Sequence, residues 1–240
     1  MIKLKWFVVF IVIELIVGGV SLYYWKYIRV LPNSPETYYL IFDKKQILDG
    51  NEQTAQEVIE KLDKRLDQYE KTFAAIAQTN DPKKLKALFY MNFVALYGSY
   101  GPRELRNYSF DEILHGSEYF QCGTLTTFLA MLLDRAGYEF KTVSVDSGNH
   151  GYLEVKFTGG WQILDPTINA WIDKSTEELL AGQPRVIKKF YQKENEISNE
   201  RANQNLPLMM ALKDQMFNQG IKENLKIDQY NYIDLNQYSY

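Results

Sequence analysis

Residues 121–137 read QCGTLTTFLAMLLDRAG, a stretch that predicts a buried helix beginning at a cysteine. From Leu125 to Ala136, apolar residues recur at i, i+3, i+4, i+7, i+8 and i+11, the spacing of one helix face. Gly137 follows at the position where helices commonly end. Cys122 is therefore predicted at a helix N-terminus, where free N–H groups and the positive end of the dipole stabilise a thiolate. The alternative interpretation is a small cysteine buried in the core.

A β-hairpin is predicted further along the chain. Residues 152–157 and 161–164 have strand character and flank the turn sequence Thr158-Gly159-Gly160. His150 opens the first strand of this hairpin, and Asp165 ends the second. The hairpin therefore carries both an imidazole and a carboxylate.

The length of the turn decides whether these two side chains meet. With a two-residue turn at Thr158-Gly159, Tyr152 lies opposite Asp165, and His150 becomes the diagonal neighbour of Asp165 on the same face. A two-residue turn at Gly159-Gly160 keeps the same facing. A three-residue loop reverses the facing unless a bulge compensates. The two-residue turns thus support a position of His150 beside Asp165.

Cys122, His150 and Asp165 together have the layout of nucleophilic catalysis. In that chemistry the imidazole takes the thiol proton, and the carboxylate holds the imidazole in the correct tautomer and stabilises its charge. Taken singly, a loop histidine and a turn aspartate are more ordinary interpretations. Their joint occurrence on one hairpin, downstream of the cysteine, favours catalysis.

Both stretches resemble the transglutaminase-like superfamily of papain-like thiol enzymes, in its bacterial membrane-anchored type. The resemblance covers about residues 108–171, and the matching positions are Cys122, Gly137, His150, Trp161, Asp165 and Pro166. It implies an α+β fold with a papain-like core, in which the cysteine begins a helix and an antiparallel sheet carries the histidine and the aspartate. It also implies a Cys-His-Asp triad that acts on amide bonds through a thioester.

The sequence departs from the family pattern directly after the cysteine. Gly123 stands where many transglutaminases carry Trp, a difference that bears on cross-linking more than on thiol chemistry. For the oxyanion hole, the backbone N–H of Cys122 is the expected first donor. Gln121 and Tyr119 are candidates for the second, with packing as the alternative role of each. The sequence has no acidic loop of the calcium-binding kind, so calcium control is not predicted.

Composition argues against several other classes of protein. The chain has 240 residues, with one cysteine, two histidines and a formal net charge of −3. A single cysteine forms no intramolecular disulfide, and the chain has too few Cys and His residues for a zinc cluster of about four such ligands. A mildly acidic balance argues against a nucleic-acid partner. We expect no metal and no cofactor, and a peptide or protein substrate. His115 is predicted to be exposed and passive.

Residues 6–25 read WFVVFIVIELIVGGVSLYYW and predict a transmembrane helix. Their number matches the roughly 20 residues needed to cross a bilayer, and aromatic rings stand at both ends. A cleaved signal peptide is the alternative, but no small-residue cleavage site follows the apolar run. We therefore expect a single-pass membrane protein. The basic start favours an extracytoplasmic catalytic domain, although the flanking charges nearly balance.

The remaining organisation is a single domain with helical additions. Residues 1–30 are predicted as anchor and linker, and residues 31–240 as one transglutaminase-like domain. Within that domain we expect a helical part at 50–98, a catalytic core at 108–172 and a helical C-terminal extension at 175–240. The helical part contains an amphipathic helix at 52–78, because its apolar positions repeat every three or four residues.

The sequence thus favours a membrane-tethered cysteine enzyme that acts on peptide or isopeptide amides. Water as the acyl acceptor gives a peptidase or amidase, whereas an amine gives acyl transfer. The alternative is a non-catalytic, membrane-anchored binding or assembly module that retains the fold. Both hypotheses leave the substrate and the oligomeric state open.

Overall fold

The fold is described from a computed structural model. It covers residues 18–19, 29–31, 47–97, 99–100, 108–116, 119–145, 150–181, 183 and 185–190. Apart from residues 18–19, the anchor predicted at 6–25 lies outside the described residues, as does everything after residue 190. Within the described part, no helix is both long enough and apolar enough to cross a membrane.

Two helices form the N-terminal part of the described domain. Helix α1 (Ala55–Ala77) begins three residues later than predicted, because Thr54 caps it. The Thr54 hydroxyl accepts from the N–H of Glu57, and the Glu57 carboxylate accepts from the N–H of Thr54. Helix α1 buries its apolar positions against helix α2 (Pro82–Tyr97) and the shared core. It therefore packs within its own domain.

Removal of this cap tests how local interactions set the start of α1. We expect Thr54→Ala to lower the free energy of unfolding by about 1 kcal/mol, because the N–H of Glu57 loses its acceptor. Thr54→Ser keeps the hydroxyl and should unfold close to the wild type. The urea midpoint measures both effects, and equal losses in the two variants would show that the cap is not the cause.

The helix predicted from the quoted stretch is confirmed. Helix α3 (Phe110–His115) precedes it, and helix α4 (Cys122–Arg135) starts at the cysteine. Gly137 follows with a φ of +75°, the left-handed conformation that favours glycine at a helix end. Phe128 anchors α4 in an aromatic cluster, with neighbouring ring centroids 5.3–6.1 Å away. This packing fixes the position of the amino end of α4.

The other side of the core is a six-stranded sheet with the order β1-β8-β7-β6-β5-β4. Five strands pair in antiparallel fashion, and β1 adds in parallel at the β8 edge. The strands of this sheet are β1 (Arg29–Leu31), β4 (Phe140–Val145), β5 (His150–Phe157), β6 (Gly160–Asp165), β7 (Ala170–Ile172) and β8 (Val186–Lys189). Two short strands, β2 (Ser99–Tyr100) and β3 (Tyr119–Phe120), pair separately and in parallel. The fold class is α+β.

The C-terminal extension differs from the sequence prediction. Residues 175–240 are predicted as helical, but the described residues from 175 to 190 form the short helix α5 (Thr176–Leu180) followed by strand β8. The prediction is wrong for β8 because Val186 and Ile187 are β-branched and the strand completes the sheet beside β7. Ile187 and Lys188 are buried there. The strand thus belongs to the sheet, and residues 191–240 lie outside the described ones.

The hairpin has the register that the sequence favours. Phe157 pairs with Gly160, which leaves Thr158 and Gly159 as a two-residue turn. Leu153 pairs with Leu164, so the next position along the ladder puts Tyr152 opposite Asp165. Leu153 and Leu164 face the helices as part of the core. Because side chains alternate along a strand, His150, Tyr152 and Asp165 share the other face.

Candidate active site

Cys122 occupies the junction between a short strand and a buried helix. The preceding residue, Gln121, has extended backbone at the N-cap position, with φ −112° and ψ 171°. Cys122 is the first residue of α4 and is partly exposed. Backbone N–H groups of Gly151 and Gly123 donate hydrogen bonds to its sulfur. The thiol therefore lies among donors that favour its ionised form.

A second contact ties the start of β5 to α4. Thr126, one turn along α4, donates its hydroxyl hydrogen to the carbonyl oxygen of Gly151 at 3.0 Å. Gly151 directly follows His150, so this bond holds the histidine strand against the cysteine helix. The bond is buried and spans 25 residues of sequence. The sequence alone gives no signal for it, because Thr126 resembles any threonine on the buried face of a helix.

His150 and Asp165 form a buried pair. Their Nε2 and Oδ2 atoms are 2.6 Å apart, and Asp165 is fully buried. The second carboxylate oxygen of Asp165 accepts from the backbone N–H of Thr167 at 2.9 Å. Both oxygens of the carboxylate are therefore held. His150 is 8% exposed, which leaves the pair nearly isolated from solvent.

His150 also forms a hydrogen bond with Cys122. Because Asp165 occupies Nε2, the ring nitrogen left for the thiol is Nδ1. The three residues selected from the sequence thus come together in the order thiol, imidazole, carboxylate. Their joint arrangement follows from the α4 N-terminus and the hairpin register.

The electrostatics of the site favour an ion pair. Burial alone would raise the pKa of the Cys122 thiol, but the hydrogen bond and charge of His150 outweigh it and lower the pKa below its ordinary value. Burial alone would lower the pKa of His150, but the Asp165 charge and hydrogen bond, together with Cys122, raise it to about 10. At neutral pH these opposite shifts favour a thiolate beside an imidazolium.

Tyr152 forms a wall beside this pair. Its ring centroid lies 6.1 Å from that of His150, and its hydroxyl is 2.8 Å from the Thr176 hydroxyl of α5. The N–H of Thr176 in turn donates to the buried carboxylate of Glu154 at 2.6 Å. Burial raises the pKa of Tyr152 above its ordinary range, so the phenol stays neutral. Tyr152 therefore packs beside His150 as a neutral side chain.

The other residues selected from the sequence are Gln121, Tyr119 and His115. Gln121 and Tyr119 both precede Cys122 at the amino end of α4, where an oxyanion donor would be needed. Their role as donors remains a prediction. His115 is exposed, and its Nδ1 lies 3.1 Å from Asp111 Oδ1, so this pair is not part of the site.

Over the described residues, no group of three or more His, Cys, Asp and Glu side chains is arranged to hold a metal ion. Comparisons of the chain with family models, curated proteins and solved structures find no match.

Proposed function

We propose that this protein is a transglutaminase-like cysteine enzyme that cleaves or transfers peptide or isopeptide amide bonds. The observation that carries the proposal is the relay Cys122–His150–Asp165, in which a partly exposed thiol at a helix N-terminus meets a buried imidazole–carboxylate pair and has its pKa lowered. A structural cysteine in the core needs neither an imidazole partner nor a buried carboxylate behind it. The family resemblance of residues 108–171 supports the same assignment.

In the first step, the Cys122 thiolate attacks the carbonyl carbon of the amide. A carbon–sulfur bond forms, and the carbonyl electron pair moves onto oxygen. The backbone N–H of Cys122, the first residue of α4, is the first donor to this oxyanion. As the oxyanion collapses, the carbon–nitrogen bond breaks, and the His150 imidazolium gives its proton to the leaving amine. The product is a thioester on Cys122.

In the second step, neutral His150 takes a proton from the acyl acceptor. Attack by that acceptor on the thioester breaks the carbon–sulfur bond and restores the thiolate–imidazolium pair. Water as acceptor gives hydrolysis, and a primary amine gives acyl transfer. Throughout both steps Asp165 keeps its charge and holds Nε2, so that Nδ1 remains directed at the reacting atoms.

The proposal includes a membrane tether. We further propose that residues 6–25 cross the membrane and that the enzyme domain lies on the extracytoplasmic side. The support is the length, apolar character and aromatic ends of that segment. The substrates are then peptides or proteins near the membrane surface.

The pH dependence of Cys122 tests the proposed function. The rate of alkylation by iodoacetamide is expected to reach half its plateau below the ordinary thiol pKa of about 8.5. Amide cleavage should follow a bell-shaped curve. It is lost as pH falls through the lowered pKa of Cys122, because the thiolate is protonated. It is also lost as pH rises through about 10, because His150 loses the proton that the leaving amine requires.

These measurements also separate the enzyme from the non-catalytic module. The chain has one cysteine, so alkylation reports Cys122 alone, and Cys122→Ala gives the background. A labelling midpoint at the ordinary thiol pKa would contradict the enzyme. Hydrolysis in water and transfer to an added primary amine, followed by mass spectrometry of the same peptide, then identify the acyl acceptor.

A further inference from the structure

The carboxylate of Asp165 depends on the turn that follows it. One oxygen faces His150 Nε2, and the other is held by the N–H of Thr167 two residues later. This second bond is formed by the backbone, so its direction is set by the shape of residues 166–169. Any movement of the Thr167 amide would release one oxygen and allow the carboxylate to turn away from His150.

The last residue of the turn has an unusual backbone. Asn169 has a φ of +48°, and Gln78 at the end of α1 is the other non-glycine residue with positive φ in the described ranges. Asparagine tolerates this left-handed region better than most residues, but glycine adopts it without steric cost. Gln78 is exposed, whereas Asn169 is buried. A turn with no further role for this side chain would be served as well by glycine.

The Asn169 side chain clamps the turn to its surroundings. Its Nδ2 donates to the carbonyl oxygen of Phe190 at 2.5 Å, and the N–H of Phe190 donates back to the Asn169 carbonyl at 2.8 Å. Nδ2 also lies 3.4 Å from Oδ1 of Asn92, a buried residue of α2. Both atoms that Nδ2 faces are acceptors. If the Asn169 amide were flipped, Oδ1 would instead face these two oxygens without a hydrogen between them. Asn92 and Phe190, which lie 77 and 21 positions away in the sequence, thus fix the side chain of Asn169.

Two buried side-chain oxygens in the turn lack hydrogen bonds within the described part of the chain, which makes this arrangement energetically unfavourable on its own. Asn169 Oδ1 and Thr167 Oγ1 are both buried, with no hydrogen-bond partner among the residues that the structure describes. Unpaired buried polar atoms and left-handed backbone are both unfavourable, and they persist where the surrounding structure needs them. Here they occur together within the few residues that follow Asp165.

We propose that Asn169 is a positioning residue for this site, whose amide clamps the 166–169 turn to Phe190 and so fixes the Thr167 N–H that directs Asp165 at His150. The proposal rests on the function proposed above, since it assigns a role toward the same relay. Asn92 supports the clamp from α2. Asn169 itself does not touch the reacting atoms.

The test compares three variants of the full-length chain. Asn169→Gly keeps the left-handed backbone and removes the amide, and Asn169→Asp keeps the volume and replaces the donor by a carboxylate oxygen. Gln78→Gly makes the same backbone change at a remote, exposed turn. We measure the pH dependence of Cys122 alkylation by iodoacetamide, with circular dichroism to establish the folded fraction.

Both Asn169 variants should alkylate about tenfold more slowly at pH 6, with the midpoint moved toward that of an ordinary thiol. Their rates should approach the wild-type rate at high pH, where every thiol is ionised. Gln78→Gly should keep the wild-type profile. Folded Asn169 variants with an unchanged profile would overturn the positioning role, as would failure of both variants to fold. An ordinary thiol profile in the wild type would instead overturn the proposed function and this inference together.

Discussion

Replacing His150 by alanine is expected to slow alkylation of Cys122 at pH 6 by about 10–100-fold. An ordinary thiol with a pKa of about 8.5 is roughly 0.3% ionised at that pH. The hydrogen bond and charge of His150 lower the pKa of Cys122 and so raise its thiolate fraction above that level. The lower intrinsic nucleophilicity of a low-pKa thiolate offsets part of this difference. Amide cleavage should fall further, by about 10³–10⁴-fold, because the proton donor to the leaving amine is also lost.

The second histidine supplies the matched control for this experiment. His115 is exposed and paired with Asp111 outside the site, so His115→Ala should leave both rates unchanged. The chain has two histidines, and the pair of variants therefore separates site chemistry from a general loss of imidazole. Equal alkylation rates in the wild type and His150→Ala would contradict the relay.

Asp165→Asn should lower amide cleavage by about 10⁴-fold while the protein stays folded. The asparagine oxygen can still accept from the N–H of Thr167, but its NH₂ group must then donate to Nε2 of His150. That donation puts the ring proton on Nδ1. The nitrogen next to Cys122 then cannot take the thiol proton, and the imidazolium loses the charge that stabilises it.

Two measurements distinguish this tautomer effect from simple destabilisation. The alkylation midpoint of Asp165→Asn should move up toward the ordinary thiol pKa, because the raised pKa of His150 depends on the Asp165 charge. The thermal unfolding curve should remain cooperative, since the volume of the side chain is unchanged. Asp111→Asn changes the carboxylate beside the exposed histidine and should alter neither measurement. A wild-type alkylation profile in Asp165→Asn would refute the assigned role of the carboxylate.

The parts of the site that the sequence predicts are those set by local patterns. Helix α4 follows from the spacing of its apolar residues, and Gly137 marks its end. The shared face of His150 and Asp165 follows from the two-residue hairpin turn. Because side chains alternate along each strand, the turn length decides which residues of the two strands lie on the same face. These interactions join residues that are close in sequence, so single-chain patterns contain them.

The parts that the sequence did not predict depend on distant segments. Strand β8 contains the β-branched residues Val186 and Ile187, but it is only four residues long, and its pairing with β7 makes it a strand of the sheet. The bond between Thr126 and Gly151 joins a helix to a strand across the core. The amide of Asn169 meets Asn92 and Phe190 from two different elements. No periodicity in one segment reports such contacts.

The two-residue turn at the hairpin tip constrains how this protein can change in evolution. Phe157 lies seven residues from His150 along β5, which is roughly 24 Å of extended chain. An insertion at the tip can bulge outward and leave the pairing intact, whereas a single-residue deletion must draw a residue from one strand and slip the ladder. The exposed tip can therefore lengthen across lineages but cannot shorten. In an alignment of related sequences, we therefore expect insertions but not deletions at this tip, although the tip is far from the active-site residues.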